Sequence, residues 1–323
     1  MNKNLIALAV AAATLSGAAQ AAEVYSDETS SLAIGGRVEA RAALKDSVVT
    51  DNTRTRVNIA AKSDISDSVY GLGFFEREFR ADESKNENRK LYAGIGSEYG
   101  QVVYGKIDGT LGMITDFTDI MAYHGNGAGS KIEAADRASN SLAYTGSFDN
   151  LVVKANYRFK DSKADGEKND GYALGAMYSL DMGLRFGAGY TEQKIESNKA
   201  DQDKAKQAFA AVSYEIGDFY VAGLYQDARN TKLNKVLSEK SRGYEFAAKY
   251  SLDKLVFSGT YNYLKSRDTG TQEAAVNAYA VDATYYFTPN FRTYASYKLD
   301  QAKTDVKNER NKDEFVLGAR YDF

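Results

Sequence analysis

The sequence predicts an all-β fold: a transmembrane antiparallel β-barrel of sixteen strands, with long external loops and one loop folded inward. Three observations predict it. A short secretory leader opens the chain, apolar and polar residues alternate over most of the remaining length, and the final strand ends on an aromatic residue.

The leader comes first. Met1-Asn2-Lys3-Asn4 precedes an apolar run from Leu5 to Val10, which alanines extend to Ala19-Gln20-Ala21. One positive charge, an apolar stretch and a small-residue A-x-A pattern make a secretory signal peptide rather than a membrane span. Residues 1–21 are therefore expected to be removed, leaving 22–323 as a single barrel domain.

No later segment approaches the roughly 18 consecutive apolar residues that a membrane helix needs. Mean hydropathy is -0.48, which on its face describes a soluble chain. Barrel strands show lipid only one face, so their average hydropathy looks soluble too. The chain has 1 proline, no cysteine and 24 tyrosines. An exported chain without disulfides needs another source of stability, and tyrosine suits strands that end at a membrane interface. The 41 basic and 44 acidic residues nearly balance, which argues against a nucleic-acid partner.

The strand pattern is read next. In Phe291–Asp300, Phe291, Ala295, Tyr297 and Leu299 share one face, and Arg292, Ser296, Lys298 and Asp300 the other. In Leu255–Tyr263 the odd positions are apolar or aromatic, and the even ones mostly hydroxyl or amide. The first strand sets Ile34, Val38, Ala40, Ala42 and Leu44 against Arg37, Glu39 and Arg41. Such alternation means one face in an apolar medium and one in water. Sixteen windows carry it, at about 31–45, 53–63, 68–80, 88–99, 101–106, 136–146, 150–161, 169–180, 183–195, 205–216, 218–228, 241–251, 254–265, 275–287, 290–301 and 312–323. Short turns such as Tyr99-Gly100, Asp181-Met182 and Thr288-Pro289 alternate with polar links such as 196–204, 229–240 and 302–311. Tight turns on one side and long loops on the other are the layout of an outer-membrane barrel. Two segments resist: neither face is apolar in Phe74–Phe79 or in Arg89–Ile95.

Closure is dictated by the medium, because an open sheet edge in lipid leaves unpaired backbone groups at several kcal/mol each. The last strand places Phe315, Leu317, Ala319, Tyr321 and the terminal Phe323 on one apolar face. Small residues on the first strand (Ala40, Ala42, Ala43) are compatible with packing against another subunit.

The longest link, about 107–135, is comparatively apolar, aromatic and glycine-rich where the other loops are charged. A loop of that length without strand pattern tends to be functional. Its composition fits a loop that packs an apolar side on the inner wall and turns its carboxylates to the lumen. Arginine facing lipid near the midplane would cost about 2–4 kcal/mol, so the mid-strand arginines are expected to face the lumen, where fixed charges select solutes. The blander alternative is that they only pair with Glu39, Glu76 and other lumen acids. His124, the one histidine, reads as a hydrogen-bonded loop residue, and no catalytic residue, cofactor or metal site is expected. Gly71-Leu72-Gly73 reads as strand glycine rather than a phosphate cradle, since no helix comes after it. The acidic loop residues Asp82, Glu83, Asp201 and Asp203 read as solvated, with cation or lipopolysaccharide bridging as the alternative.

Tyr104-Gly105-Lys106 followed by this loop with Phe117-Thr118-Asp119, the opening Gly35-Gly36-Arg37 and the ending Arg320-Tyr321-Asp322-Phe323 together resemble the Gram-negative general (non-specific) porin family. The resemblance covers nearly the whole mature chain and is closest to its vibrio-type members. It implies a general diffusion channel of the outer membrane for ions and small hydrophilic solutes, a homotrimer, a lipid and lipopolysaccharide environment, and a C-terminal strand ending in Phe323 that the barrel-assembly machinery reads. It also implies an eyelet in which wall bases face loop acids. By position, Arg37, Arg56, Arg89 and Arg137 match the bases and Asp119 one acid. The second acid falls near Tyr123, so Asp116 is the candidate in its place. The acidic loop leans the expected selectivity toward cations. A non-conducting barrel serving as adhesin or anchor, an outer-membrane hydrolase that would have to use His124, and a secreted soluble sandwich are the rival readings.

Overall fold

A backbone N–H or C=O in hydrocarbon has no water to bind, so every spanning strand needs a partner on both edges. The computed structural model shows how the chain meets that demand. It describes residues 22–82, 86–160, 170–195, 204–233, 236–268, 271–302 and 313–323. The leader expected over 1–21 and the loop acids Glu83, Asp201 and Asp203 lie outside these residues.

The strands are β1 (Ala22–Ser26), β2 (Ser30–Lys45), β3 (Val48–Asp51), β4 (Arg54–Ser66), β5 (Val69–Arg80), β6 (Glu87–Ser97) and β7 (Gly100–Ile107). A long lumenal loop comes next, with one helical turn at Gly112–Thr115 and a 3-10 turn at Glu133–Ala135. Then come β8 (Ala138–Phe148), β9 (Leu151–Arg158), β10 (Gly171–Ser179), β11 (Leu184–Lys194), β12 (Lys204–Ile216), β13 (Phe219–Leu233), β14 (Val236–Leu252), β15 (Leu255–Asp268), β16 (Thr271–Tyr286), β17 (Phe291–Asp300) and β18 (Glu314–Asp322).

Sixteen lines of strand close into one antiparallel barrel. Two short pieces complete lines rather than adding them. β3 and β4 keep one register against β2 (Ala42 opposite Asp51, Glu39 opposite Arg54), so they are one strand interrupted at Asn52 and Thr53. Asp46 and Ser47, both at positive φ, make the two-residue turn before β3. Closure is made by β18 on β2, from Phe315 opposite Leu44 to Asp322 opposite Arg37. Phe323 then exchanges two backbone hydrogen bonds with Gly36, at 2.8 and 3.0 Å. Beyond it, β1 pairs with the same edge of β2 from Ala22 opposite Ile34.

The alternation behaves as expected on most strands, with Val38, Val221, Phe257, Tyr297 and Leu317 outward and exposed. Ala43 is the exception to the reading of the first strand. It points inward against Tyr294 and Val316 rather than joining Ala40 and Ala42 outside, since neighbours on a strand face opposite sides. The two mixed segments have local causes. Phe74 points inward and stacks on Tyr92 with ring centroids 5.5 Å apart, leaving Phe75 outside. In β6 the register slips: Glu76 opposes Lys90 while Arg77 opposes Asn88. That bulge leaves Arg89 unpaired, so Arg89 and Lys90 both reach lumen carboxylates, Glu76 and Asp108. The polar link expected over 229–240 is mostly ladder, because β13 and β14 stay paired to Leu233 and Val236. Above the membrane both faces are solvated, so pairing continues there without alternation.

Val281, 58% exposed between the outward Tyr279 and Tyr285 of β16, tests the lipid-facing assignment. Val281→Arg is expected to destabilise the refolded protein in lipid vesicles by about 2–4 kcal/mol, measured by urea unfolding. Val281→Leu should leave the unfolding midpoint in place.

Candidate functional site

The inward positions of β2, β4, β5 and β6 carry a layer of interleaved charge. Arg37 sits directly opposite Arg56, and Arg54 opposite Arg80, pairings that would repel on their own. Two glutamates hold them. Glu39, 1% exposed, accepts from Arg41 at 2.8 Å, Arg54 at 3.0 Å and the Tyr294 hydroxyl at 3.1 Å. Glu78, 2% exposed, accepts from Arg56 at 2.6 Å and Arg54 at 3.2 Å, and Arg89 binds Glu76 at 2.7 Å. Charge-assisted bonds of this length fix the planar guanidinium groups in place. The arginines therefore pair with wall acids and, at Arg37, Arg56 and Arg89, also line the lumen cavity.

The long loop leaves β7 at Ile107 and packs inside the barrel. Leu111, Ile114 and Phe117 are buried with Phe209, Ala211, Tyr220, Ala222, Leu224 and Ala247 of the wall. Their seat is cut by glycine. A Cβ at Gly189 would lie 2.4 Å from Leu111 Cδ2, and one at Gly187 would lie 3.0 Å from Ile114 Cδ1.

A loop inside a barrel has no neighbouring strand for its backbone, and wall side chains supply the partners instead. Asn156 accepts from Thr110 N–H at 2.9 Å, Gln193 from Ala134 at 2.8 Å and Gln207 from Ile132 at 3.1 Å. Glu245 accepts from Ala128 at 2.7 Å, Asn262 from Gly127 at 3.0 Å and Asp282 from Ala122 at 2.7 Å. Tyr220 donates to Phe117 C=O at 2.7 Å. The buried His124 ring completes the series, 2.7 Å from Ser296 Oγ and 3.2 Å from Glu314 Oε2. His124 thus ties the loop to β17 and β18, and burial holds its imidazole below the usual histidine value against the pull of Glu314.

Between loop and wall lies a cavity of about 800 Å³. All six sequence candidates line it: Arg37, Arg56, Arg89, Arg137, Asp116 and Asp119. Arg137 differs from the other three bases, because it stands at the loop's exit beside Asp136 rather than in the β2–β6 layer. Asp116 and Asp119 are exposed to the cavity. Enclosure by the surrounding wall, and then the charge of Asp119, push the Asp116 carboxyl up to about 6, with Lys131 and Lys154 opposing. The same enclosure raises Asp119. Tyr123 is not part of the lining. It accepts a hydrogen bond from Asn52 at 3.0 Å and lies under the Arg41 guanidinium, 5.1 Å from ring centroid to Cζ.

Sequence reasoning missed Lys90, Lys131, Lys154, Arg185 and Arg320, which also line the cavity. With them, basic side chains outnumber acidic ones around it. Lys154 was within reach, as a mid-strand base on a window already assigned, and Arg185 as a base at the start of another. Lys131 lies in the loop, where no period marks direction.

The sequence pattern of the family described as Gram-negative porin matches residues 7–323. The chain is 57% identical over 345 residues to "Porin-like protein L" of Photobacterium profundum, with both chains covered in full. It is 44% identical over 359 residues to "Outer membrane protein U" of Vibrio cholerae serotype O1 (strain ATCC 39315 / El Tor Inaba N16961), again with full coverage. Among solved structures, its fold is similar to Salmonella typhi OmpF in complex with daunomycin, with TM-score 0.83 and 23% identity, over 94% of this chain and 100% of that one. The trimer form of in-vitro folded OmpT of Vibrio cholerae gives TM-score 0.72 and 20% identity, over 92% of this chain and 100% of that one.

Gly189→Val tests the seat of the loop. The added side chain collides with Leu111, an overpacking of about 1–3 kcal/mol that moving the loop off the wall relieves. The expected outcome is lower single-channel conductance from a barrel that still folds, because a loop pushed off its seat moves into the cavity. Unchanged conductance would mean that the loop's position does not limit permeation.

Proposed function

The chain belongs to the Gram-negative porin family, and from that premise we propose that loop 108–137 and the wall arginines form the eyelet of its pore. The protein is a general diffusion porin of the outer membrane. Its family and fold point to a channel rather than an enzyme. The observation that carries the eyelet is the loop's placement: its apolar side is buried on the wall while Asp116 and Asp119 look into a cavity that Arg37, Arg56 and Arg89 line. Acids on the loop and bases on the opposite wall set a field across the path of a solute, worth far more in a narrow lumen than in bulk water. Arg137 adds charge on the loop side.

The cavity's excess of basic side chains favours a mild anion preference, against the cation preference expected from the loop acids alone. Asp116 is ionised above about 6 and neutral below it, so the preference for anions grows as pH falls.

Three further readings complete the proposal. Cleavage after Ala21 starts the mature chain at the first residue of β1. The chain assembles as a homotrimer through β2, β4 and β18, whose outward face sets small residues such as Ala40, Ala42 and Ala319 among larger apolar ones such as Val38 and Leu317. The trimer form of OmpT, a protein of the same fold, supports this. Lipopolysaccharide surrounds the trimer, and the strand ending in Phe323 is the signal for barrel assembly.

Planar-bilayer recording across a salt gradient tests these statements together. Ohmic openings that close in three equal steps are expected, with a reversal potential on the anion side at pH 7.5. Lowering the pH to 5 should move it further the same way in the wild type, and much less in Asp116→Asn. A protein that inserts stably without conducting would instead support the adhesin or anchor reading.

A further inference from the structure

The chain has 5 methionines. Met1 belongs to the expected leader, and Met182 stands 67% exposed in the turn between β10 and β11. The other three, Met113, Met121 and Met177, all lie where the inward loop meets the wall. Met121, near the tip of the loop, accepts the Thr260 hydroxyl of β15 on its sulfur at 3.2 Å. Met113 belongs to the helical turn of the loop and Met177 to β10.

Met113 and Met177 form one site. A Cβ built at Gly175 would lie 3.5 Å from the Met113 methyl and 2.9 Å from Thr110 Cγ2, so the loop rests on the bare backbone of Gly175. Met177 comes next on the same face of β10, because residues two apart on a strand share a face. The two thioethers therefore edge the loop's seat side by side. Their apolar neighbours lie deeper. Leu111 and Ile114 are 0% exposed and Phe117 3%, whereas Met113 is 8% exposed, Met177 is half-buried, and both line the cavity. For packing alone leucine serves as well as methionine at such a border. What a thioether adds is a sulfur lone pair open to two-electron oxidants, and here that sulfur edges the space through which solutes pass.

We propose that Met113 and Met177 are an oxidation site, through which peroxide entering the lumen alters the pore. The oxidant is hydrogen peroxide, itself a small uncharged polar solute. A thioether sulfur gives an electron pair to one peroxide oxygen, the O–O bond breaks and an S–O bond forms. The other oxygen takes up the proton of the first and leaves as water. Thioether is thus oxidised to sulfoxide and peroxide reduced to water. The new oxygen is a polar acceptor at an apolar contact, where burial without a hydrogen bond is unfavourable. A donor stands close by: Lys154 of β9 is directly opposite Gly175 and lines the same cavity. A sulfoxide that turns to Lys154 draws the helical turn off its seat and into the cavity, so the pore narrows against further oxidant. The inference rests on the reading of loop 108–137 as the eyelet of a channel.

The test follows single channels of the full-length folded protein in a planar bilayer before and after hydrogen peroxide is added. Peptide mass spectrometry of the same preparation locates each added oxygen. Oxygen should appear at Met113, Met177 and Met182, and conductance should fall as the first two convert. A Met113→Leu/Met177→Leu variant should hold its own starting conductance through the same treatment while Met182 converts. Met182→Leu should lose conductance as the wild type does. The proposal is overturned if Met113 and Met177 stay thioethers after Met182 has fully converted. It is overturned equally if both convert without a change in conductance, or if the double variant loses as much as the wild type. Protein that never opens before peroxide is added fails the channel reading instead, and the mass map still reports whether peroxide reaches the two thioethers.

Discussion

A backbone polar group without water must find a partner in the protein, and the rest of this structure depends on that constraint. In the wall it is met by pairing each strand with two neighbours and returning β18 to β2. The join is carried to the last residue, where Phe323 bonds Gly36 and β1 takes over the edge beyond it. Closure removes any free edge, and it also fixes the direction of every side chain, because each strand's register is set by both neighbours. The chain needs no disulfide and has no cysteine to make one.

The same constraint explains the loop. Its peptide groups lie inside the barrel with no strand beside them, so those not bonded within the loop's own turns are met by wall side chains. Asn156, Gln193, Gln207, Glu245, Asn262 and Asp282, on strands from β9 to β16, each accept one loop N–H. These polar residues look like ordinary lumen positions in the sequence, yet together they suspend the loop across a wide arc of the wall. The apolar side chains of the loop then fill the seat left by Gly187 and Gly189, and the carboxylates are left facing the open space. Loop position and lumen charge are thus one arrangement rather than two.

Charge is handled differently on the two faces of the wall. Inside, Glu39 and Glu78 interleave with arginines, so a dense layer of like charge costs little. Outside, basic residues of β12–β15 oppose one another with few acids between them.

The class of fold, the number of strands and the long loop folded inward after β7 were legible in the sequence. A period of two in side-chain exposure is a local property of a strand, visible wherever one face is apolar and the other wet. Arg37, Arg56 and Asp119 were legible as lumen residues for related reasons: charge in the middle of a spanning strand has nowhere to go but inward, and a carboxylate on an otherwise apolar loop turns away from the wall. What only the tertiary structure decided is wherever that local rule lapses. The slip of β6 that turns both Arg89 and Lys90 inward depends on the register of β5. Tyr123 leaving the cavity for Asn52 and Arg41, with Asp116 remaining in it, depends on where the loop is anchored. The excess of basic charge around the cavity comes from residues far apart in the chain, such as Lys131, Lys154 and Arg320. Alternation records which side a residue faces, and only closure of the barrel records what it faces there.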